Sequence, residues 1–206
     1  FSALKLFALI ERTGLNIEDV RVGTIDAWLI WKLTGEYVTE IGNASRTQLL
    51  DVSTGNWSSE LLSIFKLQNL HLPQIRNSDH VYSIRDGVIR GLTSNSKLSG
   101  VLGDSHAALF AHAGWLPGRV KATYGTGSSV MALSNSSELK NGICTTIAWK
   151  DKDGIAHAAE GNILSSGSTL NWLANLLNIE VSKLFEIASQ ESSDINLIPA
   201  FNGLGA

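Results

Sequence analysis

Apolar residues near helical spacing open the chain: Leu4, Leu6, Phe7, Ala8 and Ile10 predict a helix over 3–13, with Gly14 as its stop. The block GTIDAWLIWKLTG (23–35) predicts a second helix. Thr24 stands at its N-cap, Asp26 in its first turn, Lys32 in its last and Gly35 at its C-terminal cap. Ile25, Trp28, Leu29 and Leu33 are expected to form its buried stripe. From 36 to 55 the pattern shortens to EYVTE and TQLLDVSTGNW, the latter ending on a Ser-Thr-Gly-Asn turn signal. SSELLSIFKL (58–67) predicts a Ser-capped helix, and HLPQI a turn around Pro73.

The run LSGVLGD (98–104) is short, apolar and bounded by glycine, as a fully buried strand would be. Ala107, Ala108, Leu109 and Phe110 then start a helix that Gly114 closes. After Pro117-Gly118 the pattern turns to strands, VKATYGTGSSVMAL and CTTIAWKDKDGIAHAAEG, with DKDG as a hairpin signal. Helices return at 164–177 and 181–189. Strand-helix units before Trp115–Gly118, and hairpins followed by helices after it, set a domain boundary there.

Composition narrows the class. The 206 residues are 44% hydrophobic and 17% charged, enough for a core. A formal net charge of -3 without a Lys/Arg cluster argues against a nucleic-acid partner. Cys144 is the single cysteine, so no internal disulfide forms; a reducing cytoplasm and a small core residue are expected. AWLIW (27–31) is closed by Lys32 and is too short to cross a bilayer, so no membrane association is expected. The first residue is Phe1, not Met, and the chain stops in FNGLGA; a piece of a longer protein is expected.

Three stretches could carry chemistry. Asp104 is the only acidic residue between Ser99 and Gly114, and it stands where a strand turns into a helix. At the carboxyl end of a strand, where open α/β sheets bind ligands, it could take a proton from a hydroxyl or hold a metal. It could equally cap the helix behind it. His106 and His112 are read as ordinary helix residues. In TYGTGSS (123–129), glycines on both sides of Thr126 allow a backbone to approach an anion, or simply make a hairpin turn. SSGSTLNW (165–172) could let a nucleotide lie against a helix start, or pack tightly on a neighbour. Taken singly, none of them decides.

In their order they resemble the FGGY carbohydrate kinases, with the glycerol kinase branch as the nearest pattern. GTIDAWLIWKLTG, NASRTQLLDVSTGNWSSELL, GVLGDSHAALF, TYGTGSSV, AAEGNILSSGSTLNWL and IPAFNGLGA look like successive blocks of that family. The resemblance implies an α/β fold of two ribonuclease-H-like domains, as in actin, sugar kinases and Hsp70, both incomplete here. Residues 1–116 would be the latter part of the acceptor-side domain and 117–206 the opening of the nucleotide-side domain. The implied activity is ATP-dependent phosphorylation of a polyol or sugar hydroxyl, with ATP and Mg2+ required. The rival is a relative or fragment that binds sugar or nucleotide without transferring phosphate.

By the same resemblance Asp104 matches the catalytic base and Ser105 a substrate-touching neighbour. Thr126, between Gly125 and Gly127, matches the threonine that meets ATP phosphates, and Gly167 and Asn171 match nucleotide-contacting positions. No metal ligand can be named. The family's first phosphate loop is not found, so residues 1–206 alone are expected to be inactive. With half of each domain absent, uncovered faces are expected to give a tendency to associate, a homo-oligomer among the outcomes. Two departures bear on specificity. Ser105 and His106 stand where glycerol kinases usually carry two glutamines, and Ser129 where they tend to carry a bulky aromatic. A smaller, more polar wall implies an acceptor longer than three carbons, such as a larger polyol or a ketose.

Overall fold

Glycines in the left-handed region end the first two helices: α1 (Ser2–Thr13) at Gly14 and α2 (Ile25–Thr34) at Gly35. The computed structural model describes residues 1–113, 116, 118–137, 142–190, 193–201 and 203. β1 (Val38–Glu40) runs straight into α3 (Ile41–Ser45), and β2 (Leu50–Asp51) pairs with β3 (Asn56–Trp57). α4 (Ser59–Ile64) is capped as expected, Ser58 Oγ accepting the Leu61 amide at 3.2 Å. β4 (Gln74–Arg76) lies parallel to β1, so the turn expected around Pro73 leads directly into a strand.

β5 (Tyr82–Ser83) pairs with β6 (Lys97–Leu98), and α5 (Asp104–Ala113) follows. Then come β7 (Val120–Tyr124), β8 (Ser128–Ser134), β9 (Cys144–Asp151) and β10 (Gly154–Ile163), before α6 (Gly167–Leu177) and α7 (Val181–Ala188). The last four strands form one antiparallel sheet in the order β7-β8-β10-β9, and DKDG makes the expected β9–β10 turn. Gly114, and most of the segment from Trp115 to Gly118 where the boundary is expected, lie outside the described residues. Among the described residues no helix is long and apolar enough to cross a membrane.

Two expectations need correcting. LSGVLGD is not a buried strand: among the described residues only Leu98 of it is in a ladder, and beyond that the Val101 amide donates to the Ser78 carbonyl at 3.0 Å. With no neighbouring strand along it, the segment serves as an extended lead into α5. The face of α2 is also reversed. Asp26, Ala27 and Ile30 are buried, while Ile25, Trp28 and Leu29 are 72%, 52% and 46% exposed and, of the expected stripe, Leu33 alone is half-buried. The buried side follows Asp26, whose Oδ2 accepts Thr39 Oγ1 at 3.1 Å and the Glu40 amide at 2.9 Å. These bonds hold α2 to β1 by a carboxylate, where the pattern had pointed to the aromatic side.

Leu109 on α5 packs with Met131, Ala148, Trp149 and Ala158 of the sheet, so one core cluster spans the expected boundary. A second joins Ile41 and Ala44 of α3 to Leu50 and Ile147. The outer edge of β9 is occupied by serines. Ser45 Oγ accepts the Ile147 amide at 3.2 Å, and Ser78 Oγ accepts that of Lys150 at 3.0 Å. The Ser78 amide returns a bond to the Lys150 carbonyl at 2.8 Å. β7, at the other end of the sheet, has no outer strand partner among the described residues, and only Lys121 of it is buried.

Candidate active-site cleft

Glu40, fully buried at the end of β1, fixes the start of α3. Its Oε1 accepts the Gly42 amide at 2.8 Å and the Ser78 hydroxyl, and its Oε2 accepts the amide and side chain of Asn43 at 2.8 and 3.0 Å. Burial pushes the Glu40 carboxyl up, opposed by these donors and reinforced by the Asp26 charge. α3 thereby directs Asn43 and Arg46 towards α5. Gly103 lets the two elements close: a methyl group there would sit 3.1 Å from Asn43 Oδ1.

Asn43, Arg46, Gly103, Asp104, Ser105, His106 and Met131 line a cleft of about 190 Å³. Asp104 is exposed at its rim and begins α5, and its Oδ1 accepts the Ser105 amide at 2.7 Å. That bond reaches only the next residue along the chain, and it leaves Oδ2 with no hydrogen-bond partner among the described residues. Ser105 is half-buried beside it. The two residues expected to meet an acceptor therefore share one cleft.

The floor of the cleft is a row across the sheet. Lys121 pairs with Met131, Met131 with Glu160 and Glu160 with Cys144, so the four side chains share a face. Arg46 Nη1 lies 2.6 Å from Glu160 Oε2 and 3.6 Å from Cys144 Sγ. Cys144 is thus half-buried against an ion pair, not set in an apolar core. His106, only 3% exposed, faces this row. Burial, and then the Arg46 and Lys121 cations, outweigh Glu160 and Asp104 and push its imidazole down to about 4. It is uncharged at neutral pH. The reading of His106 as an ordinary helix residue is corrected here; that of His112, which is exposed, stands. One signal was available: His106 lies three residues before the buried Leu109, on the same helix face. Nothing in the pattern marked Arg46, Lys121 or Glu160.

The two Gly/Ser clusters meet. The amides of Ser166 and Ser168 donate to the Thr126 carbonyl at 3.0 and 3.2 Å, and that of Gly167 to the Gly125 carbonyl at 3.0 Å. Ser128 and Ser166 share a hydroxyl bond of 2.6 Å. A side chain on Gly167 would collide with the Gly125 carbonyl oxygen, and one on Gly127 would sit 2.7 Å from that of Ile163. Both glycines are therefore required by the fold. Gly125 is different, since a methyl group there meets only the Gly127 carbonyl, at 3.4 Å. Thr126 is exposed, with no partner for its hydroxyl among the described residues, and Asn171 is exposed one turn into α6. Along β8, Met131 and the turn at Ser128 are roughly 10 Å apart, at about 3.4 Å per residue.

An α/β protein with a small polar-lined cleft on the same sheet as a Gly-Thr-Gly turn is the class these features define. The sequence profile of the N-terminal domain of the FGGY family of carbohydrate kinases matches residues 8–111. A glycerol kinase of Gloeobacter violaceus is 37% identical over 214 residues, covering the whole chain and 43% of that protein. An apulose kinase of Pectobacterium atrosepticum is 36% identical over 219 residues, again covering the whole chain and 44% of the relative. The crystal structure of Plasmodium falciparum glycerol kinase with ADP superposes on 93% of the chain and 40% of its own length, at a TM-score of 0.83 and 30% identity. The chain belongs to the FGGY family of carbohydrate kinases, and its α/β fold is that of these sugar kinases. It spans less than half the length of the curated relatives it matches.

Proposed function

We propose that the full-length protein transfers the γ-phosphoryl group of MgATP to a hydroxyl of a polyol or sugar, with Asp104 as general base. The observation that carries this reading is the exposed Asp104 carboxylate, set at the rim of a polar cleft on the same sheet as the Gly125–Gly127 turn. As the acceptor oxygen attacks phosphorus, Asp104 takes its proton; the bond to the bridging oxygen breaks and ADP leaves. A general base contributes about 10²–10⁴-fold, so positioning and charge stabilisation supply the remainder.

The turn suits a phosphate chain for a specific reason. The Gly125 and Thr126 carbonyls, which would repel phosphate oxygens, are turned to the amides of 166–168. This leaves the exposed Thr126 hydroxyl and the open side of Gly125 towards a ligand. Magnesium enters with ATP as part of the substrate. Gly167 and Asn171 belong to the same nucleotide side. Residues 1–116 and 117–206 then act as acceptor-side and nucleotide-side domains whose closure excludes water. Ser105 and Ser129 are half-buried, and Ser129 shares its face with Met131; both support an acceptor longer than three carbons.

The test is Asp104→Asn in the full-length enzyme. ADP release on a panel of polyols and ketoses should fall by about 10²–10⁴-fold, while calorimetric binding of ADP is retained. Near-normal turnover would reduce Asp104 to a helix cap and overturn the mechanism. A wild-type enzyme that binds ADP but releases none with any acceptor would favour the non-catalytic reading.

A further inference from the structure

His106 and Gly42 meet across the seam between α5 and α3. A methyl group on Gly42 would sit 3.0 Å from His106 Nδ1 and 3.1 Å from both the Ala148 carbonyl oxygen and Glu40 Oε1. The imidazole has taken the space that a side chain at 42 would fill. Met131 and the charges of Lys121, Glu160 and Arg46 stand in the floor below it, so the ring has no room to retreat.

The ring lines the cleft beside Asp104, and no hydrogen bond ties it to another side chain or carbonyl among the described residues. A ring nitrogen at the cleft wall that no protein group engages is open to a molecule in the cleft. Being neutral, the imidazole offers one donor and one acceptor nitrogen. It can therefore bond either a hydroxyl or a carbonyl, without adding charge next to the base.

We propose that His106 is a specificity-determining residue whose ring nitrogen hydrogen-bonds the oxygen on the carbon adjacent to the one phosphorylated. The acceptor class is then a vicinal diol or an α-hydroxyketone. Gly42 sets the depth of that contact by letting the ring sit back from the cleft. The proposal rests on the kinase reading of the Asp104 cleft, but not on the role of Asp104 as base.

The experiment compares full-length wild type, His106→Ala, His106→Gln and Gly42→Ala. Each is assayed by ADP release on matched pairs, a polyol or ketose and its analogue deoxygenated at the adjacent carbon. Wild type should favour the complete acceptor by about 10²-fold in kcat/KM, as expected when the analogue leaves a buried polar group unpaired. In His106→Ala the ratio should collapse towards unity with KM for ATP unchanged. His106→Gln, which keeps a donor and an acceptor, should recover part of the ratio. Gly42→Ala should raise KM for the longest acceptors. A ratio equal to that of wild type in His106→Ala, or, should that variant not fold, an unchanged ratio in His106→Gln together with an unchanged KM for the longest acceptors in Gly42→Ala, would make His106 structural and overturn the proposal. A wild-type enzyme inactive on every acceptor removes the kinase reading and this proposal with it. An active Asp104→Asn enzyme whose ratio still depends on His106 removes only the base.

Discussion

Protonating His106 inside the fold means charging a ring taken out of water and, secondly, hemmed in by Arg46 and Lys121, which is why its pKa sits at about 4 and not at the usual 6.5. Between those values the unfolded chain binds a proton that the folded chain refuses. The stability His106 contributes is therefore complete above about pH 6.5 and is lost as pH falls towards 4. The loss is on the order of 3 kcal/mol, at 1.36 kcal/mol per pKa unit. Glu40 runs the other way. Its raised carboxyl pKa contributes stability at low pH that is lost as pH rises through the folded value. Melting temperature should fall between pH 6.5 and 4.5, and His106→Gln should flatten that limb. An unchanged acid slope in this variant would mean that the titration belongs elsewhere. Asp104 was legible in the sequence because it is a lone charge in an apolar run. His106 was not, because a histidine on a helix looks the same whether it faces water or an ion pair.

Among elements, the hairpin turn at 125–127 and the entrance to α6 depend on each other's glycines, and substitutions can separate packing from binding. Gly127→Ala and Gly167→Ala drive a methyl group into backbone carbonyls and should cost about 1–3 kcal/mol, as overpacking does. Gly125→Ala meets only one atom at ordinary contact distance and should melt near wild type. If the turn holds phosphate, Gly125→Ala nonetheless weakens ATP binding; unchanged ATP affinity would make the turn purely structural. The glycines marked both clusters in the sequence, whereas their mutual contact is a tertiary fact that no local pattern records. Helix ends were similarly legible from Gly14, Gly35 and Ser58, each a local signal. α3 escaped because five residues carry no periodicity and its cap, Glu40, is not a usual capping type. The face of α2 was misjudged because aromatic side chains outweighed the single Asp26 that anchors it.

Across the whole molecule, Arg46 and Glu160 join α3 to the sheet over more than half the length of the chain. Arg46→Met would strand the Glu160 carboxylate, buried and unpaired, at a cost of roughly 3 kcal/mol, the low end for such breaks because Arg46 is itself half exposed. Restoring most of that loss with Arg46→Met/Glu160→Gln, read by denaturant melts, would confirm the pair; equal destabilisation in both variants would refute it. The order of blocks made the family legible. The cleft was less so, since its floor is assembled from strands whose register no single block reveals. The serines at β9 have one more consequence. They take up the Ile147 and Lys150 amides, so an incoming strand would find those two donors already engaged. Two small hydroxyl side chains thereby act as plugs that blunt this edge against the open-ended stacking of a fibril.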